Sequence, residues 1–273
     1  MPEGPEIRRE ADRVGRAIVG KRAEEVWFFH DRLKPFEHHL SGQVVSSVTS
    51  RGKALLTAFE NDFVIVSHNQ LYGRWMTRKG DKLPETNRSL RLSIRNETHA
   101  ALLYSASEID VYERDALDSH PYLAKLGPDA LDEAVTAKQV RERLESPTYR
   151  RRRLAALFLD QGFLAGIGNY LRSELLFVAR VDPARRPIDC TRRELAAVAR
   201  AALQLTRQSY RTAGITNDAA TVKRLKAAGA TRARYRYRVF GRDGRSCYRC
   251  GGTIERDAQA GRRIYVCRTC QIS

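Results

Sequence analysis

The first apolar positions of the chain recur at helical spacing. Between residues 5 and 19, four of them lie three or four residues apart: Ile7, Ala11, Val14 and Ile18. Charged residues fill most of the positions between them, so the segment predicts an amphipathic helix. Pro5 suits its first turn, and Gly20 suits the position just after its end.

From residue 26 to about residue 112 the pattern changes to short runs of β-branched and apolar residues. Five such runs predict strands over 44–49, 54–59, 63–67, 90–94 and 100–104. Turn-forming residues such as Gly52 and Gly80 separate the runs. Strands of this length and spacing favour a sandwich or a barrel.

After residue 113 the pattern becomes mainly helical. The segments His120-Pro121 and Gly127-Pro128-Asp129 indicate a linker. Helices are predicted over 136–145, 152–160, 169–179 and 191–207, with a strand near Tyr235. We therefore divide the chain into an N-terminal domain (1–119), a linker (120–135), a helical domain (136–230) and a C-terminal region (231–273).

The chain carries a large positive charge. Its 273 residues include 49 Lys and Arg against 32 Asp and Glu, a formal net charge of +17. Hydrophobic residues make up 42%, so the chain can bury a core. We expect a polyanionic partner, with a general overuse of arginine as the alternative. No uncharged apolar run approaches the roughly 18 residues of a membrane span, and the first residues do not resemble a secretory signal. A cytoplasmic protein of bacterial type, associated with the nucleoid and without a membrane partner, is therefore expected.

Four of the five cysteines have the spacing of a zinc site. They are Cys247 and Cys250, then Cys267 and Cys270, with two residues inside each pair and sixteen between the pairs. Two such knuckles direct four thiolates to one point, which is how a structural zinc ion is bound. Strands over 253–255 and 264–266, joined at Ala260-Gly261, predict a hairpin there. A disulfide or a redox pair is the alternative, and Cys190 is expected to be an ordinary free thiol.

The first residues offer a candidate nucleophile. Removal of Met1, which is expected before a small residue, would leave Pro2 with a free secondary amine. An α-amino group has a pKa of about 8, against about 10.4 for lysine, so part of it is unprotonated at neutral pH. Such an amine can attack a carbonyl-like carbon, and Glu3 and Glu6 could move protons nearby. The alternative is a helix start whose acids complement the helix dipole.

Several motifs together resemble the formamidopyrimidine-DNA glycosylase and endonuclease VIII family. In chain order they are Pro2-Glu3-Gly4-Pro5-Glu6, Arg51-Gly52-Lys53-Ala54-Leu55-Leu56, the segment from Gly166 to Glu174, and the four-cysteine hairpin. The string from His68 to Gly73 is closer to endonuclease VIII than to the purine-directed branch. The segment 215–229 looks longer than in the plainest endonuclease VIII pattern, which leaves the substrate range open.

The resemblance implies four catalytic residues. Pro2 would attack C1′ of a damaged nucleotide and form a Schiff base, with Glu3 as its acid and base partner. Lys53 would contact phosphate near the lesion and assist β-elimination. Arg262 would bind phosphate at the hairpin tip and assist δ-elimination, although Arg263 is adjacent and a shift of one residue stays open.

The resemblance also implies DNA contacts. Gln70, Leu71 and Tyr72 would fill the gap left by a flipped nucleotide; a turn with core-facing residues is the alternative. Asn169 would bind phosphate at a helix start, or serve only as an N-cap. Lys125 stands where the endonuclease VIII branch usually has an arginine, so it keeps the charge without the bidentate fork.

What the resemblance implies overall is an α+β protein. It would have an N-terminal β-sandwich with a leading helix, a helix–two-turn–helix domain and a C-terminal zinc-finger hairpin with one structural zinc ion. The implied activity is that of a bifunctional DNA glycosylase and abasic-site lyase of base-excision repair, with oxidised pyrimidines preferred and the strand cleaved by β,δ-elimination. The expected partner is damaged duplex DNA, with single-stranded DNA left open, and the expected state is a monomer. A non-enzymatic zinc-ribbon protein that binds nucleic acid is the rival hypothesis.

Overall fold

The computed structural model describes residues 2–80 and 83–271. Residues 1–125 and 126–273 form two compact units, called here unit 1 and unit 2. No helix among the described residues is long and apolar enough to cross a membrane.

Unit 1 is a β-sandwich with a leading helix, as the sequence predicted. Within its described residues the elements are α1 (Gly4–Ile18), β1 (Glu25–Phe28), α2 (Pro35–Leu40), β2 (Val45–Arg51), β3 (Ala54–Phe59), β4 (Phe63–His68), β5 (Arg74–Lys79), β6 (Leu90–Arg95), β7 (His99–Tyr104) and β8 (Glu108–Glu113). One sheet has the strand order β2-β3-β4-β8 and the other the order β1-β6-β7-β5. All the pairings within these two sheets are antiparallel.

The core of unit 1 explains why α1 leads the sandwich. The apolar stripe of α1 packs against side chains from both sheets in one buried cluster, in which Val14, Phe28, Phe59 and Trp75 are fully buried. Every residue of the central strand β3 is buried, so its sequence is apolar almost throughout. Burial of the helix stripe against the sheets stabilises α1 far more than its own helix propensity does.

Three strands that the sequence pattern missed are edge strands. β1, β5 and β8 each lie at the end of a sheet. An edge strand has a neighbour on one side only, and natural edges carry charged residues that discourage pairing with other chains. β5 contains two arginines and a lysine, so its apolar signal is weak.

Unit 2 is mainly helical and ends in a hairpin. Over residues 126–271 the elements are α3 (Ala137–Glu145), α4 (Leu154–Leu157), α5 (Asn169–Ala179), α6 (Arg192–Arg211), α7 (Ala219–Ala227), α8 (Arg232–Tyr235), β9 (Glu255–Gln259) and β10 (Arg262–Val266). The predicted helix 152–160 is a single turn, and the chain at Tyr235 is helical, so the strand predicted there is wrong. The first hairpin strand starts two residues later than predicted and runs up to the turn.

Unit 2 is organised around a buried carboxylate on α5. Glu174 is fully buried. Its carboxylate accepts hydrogen bonds from three consecutive backbone N–H groups, those of Arg238 at 2.9 Å, Val239 at 2.8 Å and Phe240 at 2.9 Å, and from the hydroxyl of Thr216. A buried charge is tolerated only when it is well solvated by such donors. Glu174 therefore holds both ends of the segment 216–240 against α5.

We expect Glu174→Ala to lower the free energy of unfolding by about 3–5 kcal/mol, because it leaves three consecutive backbone N–H groups without their acceptor. Urea unfolding followed by far-ultraviolet circular dichroism measures the change. Glu142→Ala, which removes an exposed acid on α3, is the matched control and should change it by less than about 0.5 kcal/mol. Equal effects of the two substitutions would contradict this role of Glu174.

Candidate active site and zinc hairpin

The structure places Pro2 directly before α1, with Glu3 as the N-cap residue of that helix. Pro2 is half-buried, and Glu3 is only 3% exposed. The Glu3 backbone N–H donates to the Glu6 carboxylate at 3.2 Å, which is one half of a capping box. Met1 lies outside the described residues. The capping box fixes the direction in which the chain enters α1, and therefore the position of Pro2 at its start.

Lys53 lies in a two-residue turn between β2 and β3. Gly52 in the same turn has φ +60°, and the flanking residues Arg51 and Ala54 pair with each other. Glycine suits that left-handed position in a hairpin turn. The backbone N–H of Lys53 donates to the hydroxyl of Tyr122 at 2.9 Å, and the lysine as a whole is 6% exposed. This burial is unusual for a lysine and holds its position closely.

A polar cluster surrounds Lys53. His68 at the end of β4 pairs with Ala54, and its ring centroid lies 5.2 Å from that of Tyr122. Its Nδ1 lies 3.1 Å from the Glu108 carboxylate. Burial lowers the pKa of His68, Glu108 raises it, and the charge of Lys53 lowers it further. The sequence analysis did not identify Glu108 or Tyr122, because only the folded sheet brings β8 and residue 122 beside this turn.

The segment from Asn69 to Gly73, called here the wedge loop, joins β4 to β5. It is closed by a hydrogen bond from the Gly73 N–H to the Asn69 carbonyl at 2.7 Å. A Cβ at Gly73 would lie 2.6 Å from that carbonyl oxygen, so only glycine fits the closure. Leu71 is 63% exposed and Tyr72 is 71% exposed. These two side chains lie at the surface, which excludes the alternative of core-facing residues.

The third residue of the predicted wedge is anchored. The Gln70 amide oxygen accepts a hydrogen bond from the Ser107 hydroxyl at 2.7 Å, and its amide nitrogen donates to Glu108. Since Glu108 also contacts His68, the structure connects Gln70 with the cluster around Lys53. Lys125 also lies in unit 1, exposed at the end of a short 3₁₀ turn, Leu123–Lys125.

Asn169 is the first residue of α5, and Gly168, not Asn169, occupies the N-cap position. The N-cap interpretation of Asn169 is therefore wrong. Its side-chain oxygen instead accepts a hydrogen bond from the guanidinium of Arg172 at 2.7 Å. With that oxygen engaged, the amide of Asn169 is held in one orientation, which leaves its NH₂ group as the donor for a ligand.

Arg172 connects the start of α5 with the hairpin. It is fully buried, and its guanidinium also donates to four main-chain carbonyls: those of Ala155 at 3.0 Å, Gln259 at 3.2 Å, Arg262 at 3.4 Å and Arg263 at 3.1 Å. The planar fork of arginine can serve several acceptors in this way, which lysine cannot. Arg172 lies inside the motif from Gly166 to Glu174, but the sequence assigned it no role, because the hairpin carbonyls that it contacts are up to 91 residues away along the chain.

The hairpin brings two arginine side chains to its tip. The turn Ala260-Gly261 has φ +52° and +69°, as a tight two-residue hairpin turn requires, and Arg262 pairs with Gln259 across it. Arg262 and Arg263 are both exposed. Successive side chains of a strand project from opposite faces, so the two arginines present their charges on different sides of the hairpin.

The four paired cysteines converge on one point. Their sulfur atoms all lie within 4.8 Å of one another, with Cys247 and Cys270 4.0 Å apart and Cys250 and Cys267 3.4 Å apart. A tetrahedral zinc site with bonds of about 2.3 Å places its sulfurs about 3.8 Å apart, so this donor set fits zinc. Among the described residues, no other group of three or more His, Cys, Asp or Glu side chains converges in this way.

The local backbone favours the thiolate form of Cys250, while burial raises the pKa of Cys267 and Cys270. The Gly252 N–H donates to the Cys250 sulfur at 3.4 Å, and this hydrogen bond, together with those of the other three cysteines, lowers the pKa of the Cys250 thiol to about 7. The Arg249 N–H makes the equivalent contact with Cys247. Cys190 lies outside the cluster, and burial raises its pKa to about 11. Deprotonated sulfur is the form that binds zinc.

We expect Cys250→Ser to lose its stoichiometric zinc and much of its affinity for DNA. The reason is that three thiolates cannot close the tetrahedron and a hairpin with a small core needs the metal. Elemental analysis of the purified protein measures the zinc content. Cys190→Ser is the matched control and should keep its zinc. Unchanged zinc in Cys250→Ser would contradict this assignment.

Two family models match separate parts of the chain. Residues 1–106 match the family model described as formamidopyrimidine-DNA glycosylase N-terminal domain, and residues 126–220 match the one described as formamidopyrimidine-DNA glycosylase H2TH domain. The chain is 47% identical to Endonuclease 8 of Pectobacterium atrosepticum over 271 residues, which cover 99% of this chain and 100% of the relative. It is 44% identical over the same length to Endonuclease 8 of Salmonella schwarzengrund, again with 99% and 100% coverage.

Solved structures of low sequence identity share the fold. The Lactococcus lactis Fpg (MutM) structure in complex with DNA that contains N7-benzyl-Fapy-dG superposes with a TM-score of 0.82 at 21% identity, and all of both chains is covered. The same enzyme bound non-covalently to DNA with an AP site gives a TM-score of 0.81 at 19% identity, covering 99% of this chain and 100% of the other. The resemblance predicted from the sequence is thus confirmed: the chain belongs to the formamidopyrimidine-DNA glycosylase and endonuclease 8 family of DNA glycosylases and abasic-site lyases.

Proposed function

We propose that this protein removes oxidised pyrimidines from damaged duplex DNA through an N-terminal proline Schiff base and cleaves the strand by β,δ-elimination. The observation that carries the proposal is the placement of Pro2 beside a buried carboxylate, Glu3, at the capped start of α1. An amine and a carboxylate at adjacent positions supply the nucleophile and the proton carrier that the reaction needs.

The first half of the reaction releases the base. The Pro2 nitrogen forms a bond to C1′ of the extruded nucleotide while the bond between C1′ and the base breaks, and the base leaves with a proton. The nitrogen then gives up its own proton, and its lone pair forms a C=N bond to C1′ as the bond between C1′ and O4′ breaks. Glu3 delivers a proton to O4′, and the product is an iminium that links Pro2 to C1′.

The second half cleaves the strand. The iminium makes the C2′ proton acidic, its loss expels the 3′ phosphate by β-elimination, and loss of a further proton expels the 5′ phosphate by δ-elimination. Hydrolysis of the remaining imine frees Pro2. Lys53, held by burial and by its backbone bond to Tyr122, is the candidate for neutralising phosphate charge next to the lesion.

DNA binding in this proposal uses both charge and shape. The net charge of +17 favours the phosphate backbone. Leu71 and Tyr72 are exposed on a short closed loop, which suits them to occupy the gap left by an extruded nucleotide. Asn169 and Arg262 are the candidate phosphate contacts of unit 2, and Lys125 joins Lys53 as a candidate of unit 1. One copy of the chain supplies all of these groups, so the proposed state is a monomer. The complexes of Lactococcus lactis Fpg with damaged DNA support this partner.

The zinc ion proposed for the hairpin has a structural role. Cys247, Cys250, Cys267 and Cys270 would hold it, and this cross-link would order the hairpin that carries Arg262.

The Schiff base can be trapped. Borohydride should reduce the iminium and leave the protein covalently bound to an abasic-site duplex, and mass spectrometry of the cross-linked peptide should identify Pro2. A variant with one extra residue before Pro2 should lose this product, because the proline nitrogen becomes an amide. Pro2→Gly keeps a primary amine, so trapping should fall without vanishing.

Trapping that is equally efficient with the extra residue would place the nucleophile elsewhere, with Lys53 as the first alternative. A wild-type protein that binds damaged DNA yet neither traps nor cleaves it would favour the non-enzymatic rival.

Substrate preference has a separate test. In single-turnover reactions on duplexes with one modified base each, we expect thymine glycol and dihydrouracil to be excised faster than 8-oxoguanine opposite cytosine. The support is the Gln70-Leu71-Tyr72 string together with the 44–47% identity to proteins named Endonuclease 8, against about 21% to Lactococcus lactis Fpg. Faster excision of 8-oxoguanine would overturn the preference and leave the reaction type intact.

A further inference from the structure

Glu10, about two turns after the N-cap of α1, contacts the first residue of the wedge loop and the strand β5 that follows the loop. One of its carboxylate oxygens accepts the backbone N–H of Trp75 at 3.2 Å, and the other accepts the side-chain amide of Asn69. Asn69 is the first residue of the loop, and Trp75 lies two residues after its last. The side chain of Glu10 is only 14% exposed.

A second side chain of α1 completes the contact. The guanidinium of Arg13 donates to the carbonyl oxygen of Trp75 at 2.7 Å and lies 3.3 Å from the Glu10 carboxylate. Both backbone polar groups of Trp75 are therefore bonded to α1. Trp75 itself is fully buried, and its indole N–H donates to Ser67 at 3.3 Å.

These hydrogen bonds connect two parts of the proposed active site. α1 begins with the candidate nucleophile Pro2, and the wedge loop carries Leu71 and Tyr72. Burial raises the pKa of Glu10, while Asn69, Arg13, Trp75 and Arg74 lower it. A desolvated carboxylate is a costly way to bond the Asn69 amide and the Trp75 N–H unless the position of the chain between these two residues matters.

We infer that Glu10 is a positioning residue that fixes the wedge loop relative to the helix that carries the nucleophile. The inference rests on the proposed function. A wedge must keep its place while it replaces a stacked base, and extrusion of an intact base costs a few kcal/mol. A preformed abasic site has no base to extrude. Loosening the wedge should therefore slow excision of a base much more than cleavage at an abasic site.

Glu10→Ala removes both acceptors and is the main variant. We expect its single-turnover rate of thymine glycol excision to fall about tenfold or more, while cleavage of a preformed abasic site changes less than about twofold. Glu10→Gln should be intermediate, because one oxygen remains and a rotated Asn69 amide can accept from the new NH₂ group. Asp12→Asn, an acid on the same helix that pairs with Arg8 at 3.3 Å, is the control and should change neither rate.

A double variant separates positioning from a general loss of stability. If Glu10 acts through the wedge, Glu10→Ala should lower the excision rate by a smaller factor in a Leu71→Ala protein, which has already lost one of the two exposed wedge side chains, than in the wild type. Additive effects of the two substitutions, or equal losses on both substrates, would overturn the inference. If Glu10→Ala fails to fold, the same comparison is made with Glu10→Gln. A wild-type protein without any excision or trapping would instead contradict the proposed function.

Discussion

The fold of unit 2 depends on two opposite charges buried on one helix, both satisfied by the backbone of other segments. Arg172 donates to carbonyls of α4 and the hairpin, and Glu174 accepts N–H groups of the segment 238–240. Each charge would be strongly destabilising without its backbone partners. Any other register of the hairpin or of that segment therefore leaves a charge without its partners. α5 thus fixes where the candidate phosphate contacts Asn169 and Arg262 lie.

The sequence could predict the buried elements of the fold more readily than the exposed ones. Elements with a full apolar signal were found, among them β3, which is buried throughout, and α5, whose predicted bounds match those observed. β5 and β8 were missed because half of the residues in each are charged, and β1 because it is only four residues long; β2, which is also an edge strand, was found. α7 was missed because it has no buried residue and so no apolar stripe.

Some residues of the candidate site could likewise be proposed from the sequence, and others could not. Residues inside a short motif, such as Pro2, Lys53 and the cysteines, could be proposed from the sequence because their chemistry depends on neighbours along the chain. The roles of Glu10 and Arg172 could not, since each acts on partners that only folding brings near, 59 and 65 residues away for Glu10 and up to 91 for Arg172. A sequence pattern therefore identifies the reacting groups more readily than the residues that hold them in position.

The exposure of Leu71 and Tyr72 also shapes how binding responds to ionic strength. In the free protein these two side chains are in contact with water, and their removal from it on insertion into DNA contributes free energy that dissolved ions hardly screen. Contacts of arginine and lysine with phosphate release counterions from the DNA, and the free energy gained from this release falls steeply as the salt concentration rises. Undamaged DNA offers only these phosphate contacts. Moderate salt should therefore release the protein from intact duplex sooner than from a lesion, so ionic conditions themselves sharpen the discrimination.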